Sequence, residues 1–179
     1  MNEAKAKLAK FQILRKELHD SLGICNWSYP WWSSPRKERG YAGDLTMESR
    51  YYSLATGDTK DMMTLDREGE RFYTLQRALT IRSYGTTDLR HVHDALPYWM
   101  DSANAAITYP TTPAMATPHA AGNNATTSQA DWDIALDMFY TQFGYDLATG
   151  APTKATLLAL GMPEVVAGLN AQFPGGLWA

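Results

Sequence analysis

Apolar positions recur at helical spacing along most of the chain. Leu8, Phe11, Leu14, Leu18 and Leu22 step by three or four and lay one stripe along a helix of about five turns. Gly23 follows as a left-handed cap. A loop rich in aromatic residues, Trp27 to Leu45, leads to a short helix that Thr46 caps, with Met47, Tyr51, Leu54 and Ala55 on one face. Thr56-Gly57-Asp58-Thr59 stops that helix and restarts the next, with Gly57 at positive φ and Asp58 or Thr59 as the new cap. The helix that follows is the longest, and Met62, Leu65, Gly69, Phe72, Gln76 and Leu79 run down its inner face. Trp132, Leu136, Phe139, Tyr140 and Phe143 mark another helical stripe, and Leu147-Ala148-Thr149-Gly150 repeats the stop chemistry of Leu54-Ala55-Thr56-Gly57. Two short helices, about Thr153 to Leu160 and Pro163 to Leu169, close the ordered part, the second with Pro163 in its first turn. No sustained period-two alternation occurs, so the expected fold is all-α: an irregular multi-helix domain with long loops.

Composition narrows this picture. The 179 residues suit a single helical domain spanning 1–179, interrupted at 102–128 by a long Ala/Thr/Pro loop with almost no charge. Apolar residues make up 45% and charged residues 20% of the chain, with mean hydropathy -0.36, the balance of a soluble folded protein. A net charge of -3 and a pI of about 5.8 give no electrostatic reason to expect nucleic acid or an anionic membrane as partner. No run reaches the length of a membrane-spanning helix, and the charged N-terminus lacks the apolar core of a signal peptide. One cysteine excludes an intrachain disulfide framework, and the chain reads as cytoplasmic.

Few residue groups offer chemistry. His91-Val92-His93-Asp94 puts two imidazoles two positions apart, which suits a metal, but no third ligand stands at a regular spacing, and loop hydrogen bonding is the plainer role. The pairs Asp131 with Asp133 and Glu68 with Glu70 point to different helix faces and read as solvated or ion-paired. Glu70 and Arg77, two turns apart, read as members of a structural ion-pair network. Trp27, Tyr29, Trp31 and Trp32, followed by Arg36, Lys37 and Arg39, read as core packing or the wall of an apolar channel in an acidic protein. Serine nucleophile elbows, phosphate-cradling glycine loops and dinucleotide fingerprints are absent, and no residue is assigned a catalytic role. That leaves Asp20-Ser21-Leu22-Gly23-Ile24-Cys25, where a carboxylate, a helix-ending glycine and the sole thiol lie close together. Cys25 is either an ordinary buried residue or one corner of a site whose other corners lie elsewhere.

With Asp20-x-x-Gly23-Ile24-Cys25, Ala55-Thr56-Gly57, Gly69-Glu70-Arg71-x-x-x-Leu75-x-Arg77, Asp94-x-Leu96-Pro97, Asp137-x-x-Tyr140 and Gly150-x-Pro152-Thr153 in this order, the whole chain resembles the C-terminal domain of the tungsten-containing aldehyde ferredoxin oxidoreductase family. Asp20-x-x-Gly23-Ile24-Cys25 is similar to its second pterin-binding motif, with isoleucine in place of the usual leucine. Ala55-Thr56-Gly57 and Gly69-Glu70-Arg71-x-x-x-Leu75-x-Arg77 resemble its helical signatures, and Asp94-x-Leu96-Pro97 its following turn. Asp137-x-x-Tyr140, Gly144-Tyr145-Asp146, Gly150-x-Pro152-Thr153 and Leu157-x-x-Leu160-Gly161 are similar to its closing pattern.

The resemblance implies a piece of a larger oxidoreductase that carries a tungsten or molybdenum bis-pterin and a [4Fe-4S] cluster, both held only with missing N-terminal and middle domains. It implies that Asp20 accepts hydrogen bonds from one pterin and that the backbone of Ile24 holds the same ring. Cys25 would be the fourth thiolate, and so the metal ligand, of the cluster. Ferredoxin or a similar electron carrier and a small aldehyde or related substrate are the implied partners. The family's Cys-x-x-Cys-x-x-x-Cys run is absent, so the chain alone is expected to be inactive. The competing reading is an autonomous helical interaction module, or a non-functional fragment, in which Cys25 is structural.

Overall fold

The computed structural model describes residues 2–26, 33–97, 100–101 and 127–179. Asn2 opens α1 (Glu3–Leu22) by accepting the Lys5 N–H on its side chain, and Gly23 closes it at φ 68°. Beyond a short 3-10 turn at Lys37–Arg39 come α2 (Met47–Thr56), α3 (Met62–Tyr84) and α4 (Leu89–Val92). The chain ends with α5 (Gln129–Phe143), α6 (Lys154–Ala159) and α7 (Pro163–Gln172), the last with Pro163 in its first turn. Among the described residues the only β pairings are isolated bridges, so the all-α expectation holds.

α1 lies across α3 and α5, α2 touches α3, and α7 packs on both α3 and α6. Gly69 makes the α1–α3 crossing close: a Cβ there would stand 2.9 Å from the Leu14 carbonyl oxygen and 3.3 Å from Leu18 Cγ. Two apolar clusters result. Leu14, Leu136, Tyr140, Phe143 and Tyr145 fill the space between α1 and α5. Ala78, Ile81, Leu89, Leu157, Met162 and Leu169 fill the other side of α3, closed by the buried Trp178, whose indole N–H donates to the Pro152 carbonyl at 2.9 Å. Each fully buried Leu, Ile or Phe stabilises the fold by roughly 1.5–3 kcal/mol, and these clusters hold the helices together.

The structure departs from the apolar pattern in three places. On α2 the supposed inner face is turned outward, with Leu54 88% exposed and Tyr51 also exposed, while Glu48 is the buried residue. Burial on this helix follows a charge that is paired, described below, rather than its apolar side. The cap of α3 is Asp61, whose side chain accepts the Thr64 N–H at 2.8 Å, rather than Asp58 or Thr59. Along α3 the inner face begins at Leu65 and Gly69 as expected, then turns to Thr74, Arg77, Ala78 and Ile81. Phe72, Leu75 and Leu79 are left exposed as a second apolar stripe. An α-helix advances 100° per residue, so an inner face assigned at fixed steps of three and four drifts off a neighbour that crosses at an angle. The loop expected at 102–128 and the aromatic residues Trp27, Tyr29, Trp31 and Trp32 fall almost wholly outside the described residues, which resume at Thr127.

Candidate cofactor-binding site

The Asp20–Cys25 segment sits where α1 ends. Gly23 takes the left-handed conformation, its N–H donating to the Asp20 carbonyl, and the Ile24 N–H donates back to the His19 carbonyl at 2.8 Å. This closed cap fixes where the chain leaves the helix. Its consequence for Ile24 is specific: the N–H is committed to the cap, so the backbone group it can offer a ligand is the carbonyl. Asp20 is exposed on the last turn and paired with Lys16 one turn earlier. A carboxylate at this end faces the negative pole of the helix dipole, and an exposed i,i+4 pair is worth only about 0.3–0.5 kcal/mol. Helix stability therefore gives no reason for an acid at this position. Cys25 is exposed, against the expectation for a structural cysteine that it lies in the core.

Beneath this rim lies a buried polar chain that apolar periodicity could not reveal. His19 and Glu48 are both fully buried, with His19 Nε2 donating to Glu48 Oε1 at 3.0 Å. Arg15, also buried, places one guanidinium nitrogen 3.3 Å from Glu48 Oε2 and another 3.4 Å from Asp66 Oδ1. On the far side of the ring, His19 Nδ1 lies 2.8 Å from Asn26 Oδ1, one residue past the thiol. Burial pushes the Asp66 carboxyl above its ordinary range against the pull of Arg15, and the charge of Glu48 adds to the rise. The available signal in the sequence was positional: Arg15 and His19 stand four apart, each next to a buried leucine, and so face inward with Leu14 and Leu18.

The other sequence motifs meet elsewhere, around Arg77. Its guanidinium donates to Asp94 Oδ2 at 2.7 Å and Oδ1 at 3.3 Å, and to the Gly150 carbonyl at 2.7 and 3.2 Å. Tyr140 donates its hydroxyl to Asp94 Oδ2 at 2.8 Å, and the indole N–H of Trp132 donates to the Asp94 carbonyl at 2.8 Å. The guanidinium also lies 5.7 Å from the ring centre of Tyr140 and 5.2 Å from that of Tyr145. Gly150 has positive φ, and a Cβ there would come within 2.7 Å of the Tyr140 ring. Burial alone would raise the Asp94 carboxyl, yet the hydrogen bonds and charge of Arg77, with those of His93 and Tyr140, hold it below its usual range. Every polar group of this knot is engaged by its neighbours, which makes it a clasp joining α3, the 93–97 turn, α5 and the 145–150 turn.

Glu70 and Arg77 do not share a partner: Glu70 pairs with Lys10 at 2.7 Å, so the single network expected from their spacing is two separate contacts. Asp133 pairs with Arg90, Asp131 with the capping Ser128, and Glu68 with Arg71, as expected for structural carboxylates. His91 and His93 each meet an aspartate, Asp88 at 2.8 Å and Asp94 at 2.7 Å. Among the described residues no three His, Cys, Asp or Glu side chains gather as a metal site.

The family model for aldehyde ferredoxin oxidoreductase, domains 2 & 3, matches residues 1–162. The chain belongs to the aldehyde ferredoxin oxidoreductase family. No solved structure matches it. Membership places the chain in an oxidoreductase family as a C-terminal part, with other domains of the same enzyme implied. The family generally uses a tungsten-pterin and an iron-sulfur cluster. Among the described residues no helix is long and apolar enough to cross a membrane.

The residues at the end of α1 suit one edge of such a site and no more. An exposed thiol fixed by a helix cap can serve as a single cluster corner, and an exposed carboxylate in a weak ion pair can be released to a ligand. A cubane needs four ligands, and the chain has one cysteine.

Proposed function

We propose that this chain is the helical C-terminal domain of a tungsten- or molybdenum-pterin oxidoreductase and completes a site built mainly by other domains. The observation that carries the reading is the exposure of Cys25 at the capped end of α1, within the segment that resembles the family's second pterin-binding motif. Asp20 exchanges Lys16 for the amino edge of a pterin, where an ionised carboxylate is a strong acceptor. The Ile24 carbonyl meets the same ring. Cys25 supplies one thiolate to a [4Fe-4S] cluster whose remaining three come from another domain. With the metal-pterin and cluster bound, the enzyme oxidises an aldehyde or related small substrate by two electrons and releases them singly to ferredoxin or a similar carrier. The exposed stripe Phe72, Leu75 and Leu79 on α3 further supports a partner domain, because an apolar row at helical spacing on the longest helix is otherwise left in water.

The test is co-expression with the segment encoded upstream, followed by iron, tungsten and molybdenum analysis of the wild type and Cys25→Ala. Loss of the four-iron cluster with the fold intact is expected. Full iron content with a lowered unfolding midpoint would return Cys25 to a structural role and remove the reading. The same account expects the 179-residue chain alone to bind no cluster and to oxidise no aldehyde.

A further inference from the structure

We propose that His19 is a positioning residue for the Cys25 thiolate, holding the cap turn in register with the buried core through its backbone and its ring at once. The inference rests on the reading of Cys25 as a cluster ligand and assigns the buried chain beneath it a task.

Gly23, Ile24 and Cys25 form a three-residue excursion that closes on His19 from both sides. On the near side the Ile24 N–H donates to the His19 carbonyl at 2.8 Å; on the far side the Asn26 side chain meets His19 Nδ1 at 2.8 Å. Cys25 lies between these two tethers. The ring that holds the second is itself fixed by donation from Nε2 to Glu48 on α2, and Glu48 is steadied by Arg15. A fully buried imidazole bridged to a second helix cannot change rotamer without breaking a contact with a buried carboxylate. The thiol is therefore exposed while its backbone is anchored to two helices. That combination suits a ligand that must present its sulfur to a group assembled by another domain with little loss of freedom on binding. A cap alone would fix the chain only as far as Ile24; the Asn26 contact, which satisfies the buried Nδ1, carries the constraint past the cysteine.

The test uses the assembled enzyme and breaks only the tether, leaving Arg15, Glu48 and His19 in place. In Asn26→Ala, hydrogen exchange at the Ile24 amide is expected to quicken by about fivefold, the size that follows from losing one net hydrogen bond. The reduced cluster should show a second species or a changed paramagnetic resonance spectrum at unchanged iron content. Asn26→Gln, which keeps an uncharged amide able to meet Nδ1 with its oxygen or its NH2, should restore both readouts. Faster exchange with an unaltered spectrum would overturn the positioning role and leave His19 as a fold contact only. Unchanged exchange would overturn the tether itself. A Cys25→Ser enzyme with the wild-type cluster spectrum would overturn both this inference and the ligand reading beneath it, which separates the two failures.

Discussion

Replacing Asp94 with asparagine tests whether the motif residues around Arg77 act as a clasp. The asparagine has nearly the same volume, so cavity terms drop out. What changes is charge and donor count. Oδ2 accepts from Arg77 at 2.7 Å and from Tyr140 at 2.8 Å, and Oδ1 from Arg77 at 3.3 Å, so whichever way the amide turns its NH2 faces a guanidinium that can only donate. Tyr140 can rotate its hydroxyl and accept instead; Arg77 cannot. Its side chain is 5% exposed, so the charge that loses its partner stays out of water. Breaking a buried pair from one side costs about 3–5 kcal/mol. Arg77 keeps the Gly150 carbonyl and two aromatic faces, which places the expected loss near the lower end, about 3 kcal/mol. For a chain of this size that corresponds to a melting temperature lower by roughly 6–12 °C. The pH dependence has a definite sign. Because the native carboxyl is held below its ordinary value, its stabilisation is present above the unfolded value, about 3.9, and disappears as pH falls through the native one. The gap between wild type and Asp94→Asn, read from urea unfolding by circular dichroism, should therefore be full at pH 7 and should shrink below about pH 4. A loss under about 1 kcal/mol at pH 7, or a gap that persists unchanged in acid, would refute the clasp.

Gly150→Ala and Gly57→Ala separate crowding from backbone strain, since both glycines have similar positive φ. Only Gly150 has Tyr140 and Arg77 within 3.0 Å of the added carbon, so it should lose about 2–4 kcal/mol against about 1 kcal/mol at Gly57, measured by denaturant unfolding. Equal losses would mean that the turn relaxes and the close packing has no energetic weight. Glu48→Ala strands Arg15 and His19 in the interior and should destabilise the chain by about 3–5 kcal/mol in the same assay. A loss below about 1 kcal/mol would show that Asp66 and the Leu45 carbonyl satisfy Arg15 without Glu48.

The parts of this fold that were legible in the sequence are those where apolarity and burial coincide. The stripes on α1 and α5 gave those helices, and Gly23, Gly57 and Gly150 gave three chain reversals, because a left-handed residue after a helical run has few other uses. The polar interior was not legible. Arg15, His19 and Glu48 lie inside because each compensates another across a helix boundary, and the pairing partner is 29 positions from His19 and further from Arg15 in the chain. The same blindness misassigned α2, whose apolar residues face outward while its glutamate faces in. On α3, Phe72 and Leu79 have the apolarity of inner residues yet are exposed, because the buried face turns to Thr74, Arg77, Ala78 and Ile81.

The division of labour among the motifs bears on how far family membership reaches. Arg77, Asp94, Tyr140, Gly144, Gly150 and Thr153 carry much of the resemblance, and the structure uses them for internal contacts: the clasp, the close turn against Thr156, and the cap of α6. Their agreement with the family therefore speaks to a shared fold. The cofactor inference rests on the end of α1 alone, on a carboxylate at the unfavourable pole of a helix and a thiol outside the core. A carboxylate at that pole gains little from its helix, and cysteine is ordinarily among the most buried residues. Under the proposed function the aspartate and the exposed cysteine act together, one toward the pterin and one toward the cluster. The buried His19–Glu48 pair, costly to desolvate and placed directly beneath, fits the same requirement: it gives an exposed rim a fixed position.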